Sequence, residues 1–214
     1  MFTVASFTFS PIAENTYLLY NETGDCIIID PGCYFGNERV ALQDYITEYS
    51  LRPKYLLNTH CHLDHVFGNK FVHDTWQLEL YIHPNEQPVL AFAPEAGVQW
   101  GMPFDNYKGP LHFLREGEQV RLGDDALNVL FAPGHSPGHI CFYCAAQGFV
   151  IDGDVLFKQS VGRTDLPGGN HETLLNSIRT VLYTLPDETV LYPGHGATTT
   201  VGFEKKNNPF VRMK

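Results

Sequence analysis

Between residues 60 and 65 the chain places three histidines and one aspartate, His60-Cys61-His62-Leu63-Asp64-His65, one residue after the run Tyr55-Leu56-Leu57-Asn58. That run reads as a strand, and in an extended segment residues i and i+2 project to one side. His60 and His62 can therefore reach one metal ion. Asp64 and His65 are adjacent, so they share a second ion only if the chain turns there, which Gly68 at an expected helix start permits. Neutral imidazole and carboxylate are ligands of zinc and similar borderline ions. Three histidines and an aspartate at this spacing have no packing rationale.

Three later segments have the same form, a strand followed by a loop with a ligand residue. Leu127 to Ala132 leads to Pro133-Gly134-His135, Phe149-Val150-Ile151 to Asp152-Gly153-Asp154, and Thr189 to Tyr192 to Pro193-Gly194-His195. Ligands at the ends of neighbouring strands converge on one crevice. The candidates are then His60, His62, Asp64, His65, His135, Asp154 and His195. One tetrahedral ion needs about four ligands, so this set suits two ions with a carboxylate between them. Two ions can hold a water and lower its pKa towards neutrality, which makes a hydroxide nucleophile at pH 7. Asp64 and Asp154 are the expected catalytic residues, orienting that nucleophile and managing its proton. The reaction class is metal-assisted hydrolysis of an ester, thioester, amide or phosphoester.

No linker or low-complexity tract interrupts the chain, so a single domain over 1–214 is expected. Strands are expected at 2–9, 16–20, 26–29, 54–58, 78–83, 119–122, 127–132, 140–144, 148–151 and 189–192. Helices are expected at 38–49, 68–76 and 172–185, the last with Asn170 as N-cap. Residues 91–110 are rich in Gly, Pro and aromatics and read as a loop or lid. Phe92, Trp100, Phe104 and Tyr107 there either pack the loop or line a pocket. Strands outnumber helices, which suggests two sheets with helices outside them.

Fourteen basic against 24 acidic residues give a net charge of −10. That balance argues against nucleic acid and against an anionic membrane surface as partners. The first basic residue is Arg39 and runs such as Cys26-Ile27-Ile28-Ile29 are strand-sized, so neither a secretory signal nor a membrane span is expected. Five scattered cysteines suit a reducing cytoplasm. Cys141 and Cys144 stand three apart on a strand and point to opposite faces, as buried small hydrophobes. Cys61 projects away from the ligands beside it. His139 follows a Pro-Gly turn and either hydrogen-bonds a ligand or only starts the next strand. His73, His83, His112 and His171 are given no role.

The ordered set His60-x-His62-x-Asp64-His65, His135, Asp154 and His195 resembles the metallo-β-lactamase superfamily over most of the chain. The resemblance implies an α/β (also classed α+β) fold, an αββα sandwich of two mixed sheets flanked by helices, with a metal site at one edge. It also implies that His60, His62 and His135 hold one divalent ion, that Asp64, His65 and His195 hold the other, and that Asp154 bridges them. Zinc is the expected metal, with iron or manganese as alternatives.

Within the superfamily the match is to glyoxalase II-like hydrolases of hydroxyacyl-glutathione thioesters. Gly153-Asp154-Val155-Leu156-Phe157 is similar to their Gly-Asp-x-Leu-Phe stretch. Asn208-Pro209-Phe210-Val211-Arg212 resembles an Asn-Pro-Phe-x-Arg stretch whose arginine helps bind the glutathione carboxylate. Two features depart from the pattern. Little chain follows His195, so the C-terminal helical domain of larger members is not expected. Val161-Gly162-Arg163-Thr164-Asp165 stands where those enzymes carry a lysine and a tyrosine, and resembles a shorter bacterial subgroup and the persulfide dioxygenases. Arg163 either supplies the missing positive group or pairs with Asp165 or Asp154. A persulfide dioxygenase would place a single iron on His60, His135 and Asp154. The remaining alternative is a non-catalytic metal-binding protein. The expectation is a cytoplasmic metallo-hydrolase of a small, S-lactoylglutathione-like thioester, with Arg163 and Arg212 binding substrate.

Overall fold

The structure is a computed structural model that describes residues 1–212. The first sheet runs in chain order: β1 (Thr3–Phe9), β2 (Glu14–Tyr20), β3 (Asp25–Ile29), β4 (Arg52–Leu57), β5 (Leu80–Ile82) and β6 (Leu111–Phe113). β1 to β3 are antiparallel, and β3 to β6 are parallel. The second half forms β7 (Gln119–Leu122), β8 (Asp125–Phe131), β9 (Ile140–Cys144) and β10 (Phe149–Gly153), then a small hairpin, β11 (Leu156–Phe157) and β12 (Ser160–Val161), and finally β13 (Val190–Pro193) and β14 (Thr199–Thr200). The second sheet is ordered β14-β13-β10-β9-β8-β7, with β10 and β13 parallel.

The two-residue period of each strand divides its side chains between two cores. Ile27 and Ile29, with Tyr17, Leu19 and Leu57, meet Val129, Ile140, Phe142 and Ile151 between the sheets. Cys26 and Ile28 point the other way, with Leu18, Leu56 and Leu80, to α1 (Gly36–Glu48), α3 (Asn69–Trp76) and α4 (Gln87–Gln99). Cys141, Val150 and Leu191 back onto α5 (His171–Thr180) and α6 (Val201–Asn207). The single turn α2 (Leu63–Val66) belongs to the site. The layers are thus αββα. Strands covered on both faces read as unbroken apolar runs, as 26–29 does. Cys144 lies in the inter-sheet core and Cys141 in the outer one, so the pair does face opposite ways.

The 91–110 expectation is corrected. Its first half is the end of α4, in which Leu90, Ala93 and Gly97 are buried. Pro94 sits inside this helix and removes an N–H, a cost of about 3 kcal/mol. The carbonyl of Leu90, which that N–H would have met, instead accepts from Asn106 Nδ2 at 2.7 Å. Helix 172–185 also ends early, at Thr180, followed by a 3₁₀ turn over Leu182–Thr184. Its N-cap is Asn170, whose side chain accepts from Thr173 N at 2.9 Å. Among the described residues no helix is long and apolar enough to cross a membrane.

The sandwich is stitched together at one edge. Asn15 N donates to Gly194 O at 2.7 Å, Asn15 Nδ2 donates to Pro193 O at 3.0 Å, and the Tyr17 hydroxyl donates to Pro193 O at 2.7 Å. β2 of the first sheet thereby holds the loop after β13 of the second.

Candidate metal centre

All seven candidate donors lie just beyond strand ends at this edge. The turn required for Asp64 and His65 is present, but it is α2 itself, beginning at Leu63. It folds His65 back until its ring centroid is 4.1 Å from that of His60. Gly68 therefore does not make the turn, and its φ of −96° is open to any residue. Glycine is required there because a Cβ would lie 2.4 Å from Cys33 Sγ and 2.6 Å from Pro31 O. Gly194 is constrained by the site itself, since its Cβ would fall 2.2 Å from Asp154 Oδ1.

The donors form two trios. His135 Nε2 lies 3.1 Å from His60 Nε2 and 2.8 Å from His62 Nδ1. His195 Nε2 lies 3.1 Å from Asp64 Oδ2, and His65 Nε2 lies 3.9 Å from the same oxygen. Within each trio the donor atoms are within 4.8 Å of one another. Asp154 stands between the trios. Its Oδ2 is 3.4 Å from His135 Nε2 and 3.6 Å from His195 Nε2, and its Oδ1 is 3.5 Å from His65 Nε2. His65 Nε2 and Asp154 Oδ1 are buried without hydrogen-bond partners. Orphaned buried polar atoms are costly, and nitrogens and carboxylates turned onto one small space are the donor set of divalent cations.

The trios differ in charge. Burial, aided by the neighbouring imidazoles, holds His60 far below the ordinary histidine range. Burial also pushes His62 down to about 3 and lowers His135. These rings stay neutral at pH 7, the form that binds metal. Burial opposes the charge on His65 as well, but Asp64, Asp154 and Asp30 outweigh it and raise its pKa well above the usual value. His195 is raised too, because Asp64 and Asp154 outweigh its burial.

Sequence reasoning missed three supporting carboxylates. Asp30, at the end of β3, adopts a left-handed φ of 49°. Its Oδ1 accepts from Thr59 N at 2.7 Å, and its Oδ2 accepts from Thr59 Oγ1 at 2.6 Å and lies 3.1 Å from His65 Nδ1. A partner on Nδ1 aims Nε2 of His65 into the site. Asp30-Pro31-Gly32 is another strand-end carboxylate before a turn, so its signal was present. Glu86 is fully buried. It accepts from Cys61 N at 2.8 Å, from Gly138 N at 2.7 Å and from Ser136 Oγ. It thus clamps the loop of His60 and His62 to the loop of His135. Glu14 is also fully buried, with Oε1 4.0 Å from His65 Nδ1, and burial raises its pKa well above the usual value.

His139 takes the first of its two readings. Its Nε2 accepts from Asp154 N at 3.1 Å, and its ring stacks on His60 at 4.8 Å. Arg163 pairs with Asp165, at 2.7 and 2.8 Å, rather than with Asp154. Its guanidinium also lies over Trp100, and the residue lines the metal cleft. Arg212 is exposed and does not line that cleft. From the same stretch, Asn208 Nδ2 donates to Ser160 O at 3.0 Å and so anchors the β11–β12 hairpin. The cleft measures about 330 Å³, with Phe157, Ser160 and Val161 of the hairpin on one wall.

The sequence profile of the metallo-beta-lactamase superfamily matches residues 10–195. The chain belongs to the metallo-β-lactamase superfamily. It is 41% identical over 202 residues to the probable metallo-hydrolase YqgX of Bacillus subtilis, covering 94% of this chain and 93% of that protein. It is 38% identical over 204 residues to the hydroxyacylglutathione hydrolase GloC of Haemophilus influenzae, covering 94% of each. The crystal structure of BLEG-1 B3 metallo-β-lactamase superposes with a TM-score of 0.89 at 35% identity, over 98% of this chain and 99% of that one. TTHA1623 in a di-iron-bound form superposes at 0.86 with 38% identity, over 96% and 99%. This superfamily member is a metallo-hydrolase by kinship, with His and Asp clusters suited to divalent metal ions.

Proposed function

We propose that the protein is a dinuclear metallo-hydrolase that cleaves a small hydroxyacyl thioester of the S-lactoylglutathione kind. The observation that carries the reading is Asp154, whose Oδ2 lies 3.4 Å from His135 of one trio and 3.6 Å from His195 of the other, with Oδ1 3.5 Å from His65. On this reading His60, His62 and His135 hold one ion, Asp64, His65 and His195 hold the other, and Asp154 serves both. The 38% identity to GloC across 94% of the chain supports the thioester substrate.

When bound, two divalent ions supply Lewis-acid polarisation of a carbonyl and acidify a water towards neutral pKa. The protein supplies the rest. Asp64 and Asp154 orient the attacking water and take its proton. The water oxygen bonds to the thioester carbonyl carbon, the C–S bond breaks, and the proton passes to the departing thiolate. A carboxylic acid and a thiol result. Asp30 and His139 hold His65 and Asp154 in register, through bonds to His65 Nδ1 and Asp154 N. Arg163, which lines the cleft and keeps an exposed guanidinium beside Asp165, is the group proposed to meet an anionic carrier thiol, while Arg212 lies outside the lining of that cleft.

Zinc is the proposed native metal, and the partner is a small-molecule thioester, neither nucleic acid nor membrane. Five buried free cysteines suit a reducing cytoplasm. The test is metal analysis of protein purified without added metal, alongside thiol release from S-lactoylglutathione. Two ions per chain with thiol release are expected. The trio His60, His135 and Asp154 is compact enough to hold a lone ion. One iron per chain with O₂ consumption on a persulfide would therefore replace the hydrolase with a dioxygenase.

A further inference from the structure

Beside the metal cleft runs a larger groove of about 580 Å³. Pro88, Val89, Phe92 and Ala96 of α4, with Trp100 after it, form one wall, and Pro137 and residues 166–168 form the other. None of its lining residues is Lys, Arg, Asp or Glu. Its size falls within the roughly 300–1,000 Å³ of small-molecule sites. Phe92 and Trp100 are 38% and 50% exposed, large aromatics left open where they face the groove. The groove is continuous with the metal cleft, since His62, Leu63, Trp100 and Leu166 line both.

We infer that this groove extends the acyl site, so that thioesters of medium-length apolar acids are cleaved in addition to short hydroxyacyl ones, with longer chains favoured among unsubstituted acyl groups. The inference rests on the thioesterase reading and refines its substrate. A ligand whose carbonyl sits among the donors meets two unlike walls. Arg163 and Ser160 line the metal cleft and are absent from the lining of the groove, which offers an uncharged apolar channel sharing His62 with the cleft. Biological carrier thiols are polar and anionic, so the carrier belongs on the Arg163 side. The acyl group is the part of a thioester that can be wholly apolar, and the channel along α4 fits it. Burial of each methylene is worth about 0.8 kcal/mol, or up to about four-fold in specificity.

The test uses the metal-loaded enzyme and N-acetylcysteamine thioesters from acetyl to decanoyl, with calorimetry of the uncleavable S-ethyl and S-decyl thioethers of the same thiol. Wild type is expected to gain about two- to four-fold in kcat/KM per methylene until the groove is full, and to bind the decyl thioether far more tightly than the ethyl. Ala96→Phe fills the groove, and the decanoyl-to-acetyl ratio and the decyl preference should both collapse in a folded variant with unchanged metal content. Flat rates and equal thioether binding in wild type would overturn the inference and leave the hydrolase reading standing. A chain-length preference that survives Ala96→Phe would also overturn it. Failure to cleave any thioester, with decyl binding lost in Ala96→Phe, would sink the thioesterase reading and the acyl assignment with it, leaving only a groove for an apolar ligand.

Discussion

Residue by residue, the metal centre depends on how its donors are held and charged. Asp30 contributes no donor to either trio, yet its bond to His65 Nδ1 selects which nitrogen faces the site. Asp30→Asn is expected to weaken metal binding at the trio of Asp64, His65 and His195 by about 10–100-fold and to leave the other trio loaded, as read by chelator competition. Glu86→Ala strands the donors of Cys61, Ser136 and Gly138 in a buried pocket. At about 1–3 kcal/mol for each buried group left unsatisfied, urea denaturation should show a loss of several kcal/mol. The charges set a pH order. His65 binds its proton well above the usual histidine value, so protons compete with metal there through neutrality. His62 takes a proton only near 3, so the three-histidine trio is free of that competition. As pH falls, dialysed protein should lose the ion of the Asp64, His65 and His195 trio first and so pass from two ions per chain to one. Loss of the three-histidine ion first would contradict this order.

At the scale of elements, the ligand cluster was legible because its signal is local. His60 and His62 are two apart on an extended chain, and a strand end followed by Pro-Gly-His marks His135 and His195 with no knowledge of the fold. Asp30 carries the same mark but lies in the weaker context Asp30-Pro31-Gly32, and its function depends on Thr59 and His65, which only folding brings near. α4 was illegible for a different reason. Pro94 and Gly97 break its pattern, and what repairs the break is Asn106, beyond the helix end, donating to Leu90 O. Asn106→Ala should therefore destabilise the protein by about 1–3 kcal/mol. That cost should shrink in a Pro94→Ala background, where a backbone N–H can return to Leu90 O. A double-mutant cycle in urea measures the coupling, and strict additivity would show that Asn106 does not serve this carbonyl. The substrate groove inherits the same blindness, because its wall is the helix that the sequence presents as a loop.

At the scale of the whole molecule, two sheets packed through Ile27, Ile29, Phe142 and Ile151 bring four separate strand ends to one edge. The apolar runs suggested two sheets with helices outside them, and the family resemblance carried by the order of the ligands implied the αββα sandwich. The pairing of β2 with the loop after β13 was not, because it joins residues far apart in sequence. A net charge of −10 describes the surface of the chain, while two cations at this edge would make the pocket attractive to anionic thioesters. The donors of both trios come from both sheets, so metal should tie the sandwich together. Chelation is expected to lower stability by about 2.7 kcal/mol for each ion present at a hundred times its Kd, seen as a fall in Tm that added metal reverses. The central claim is that Asp154 joins two metal sites into one centre, and metal stoichiometry in wild type and Asp154→Ala tests it most directly. Two ions per chain are expected in wild type and none in the folded variant; one ion per chain in wild type, or full metal content in Asp154→Ala, would overturn the dinuclear reading.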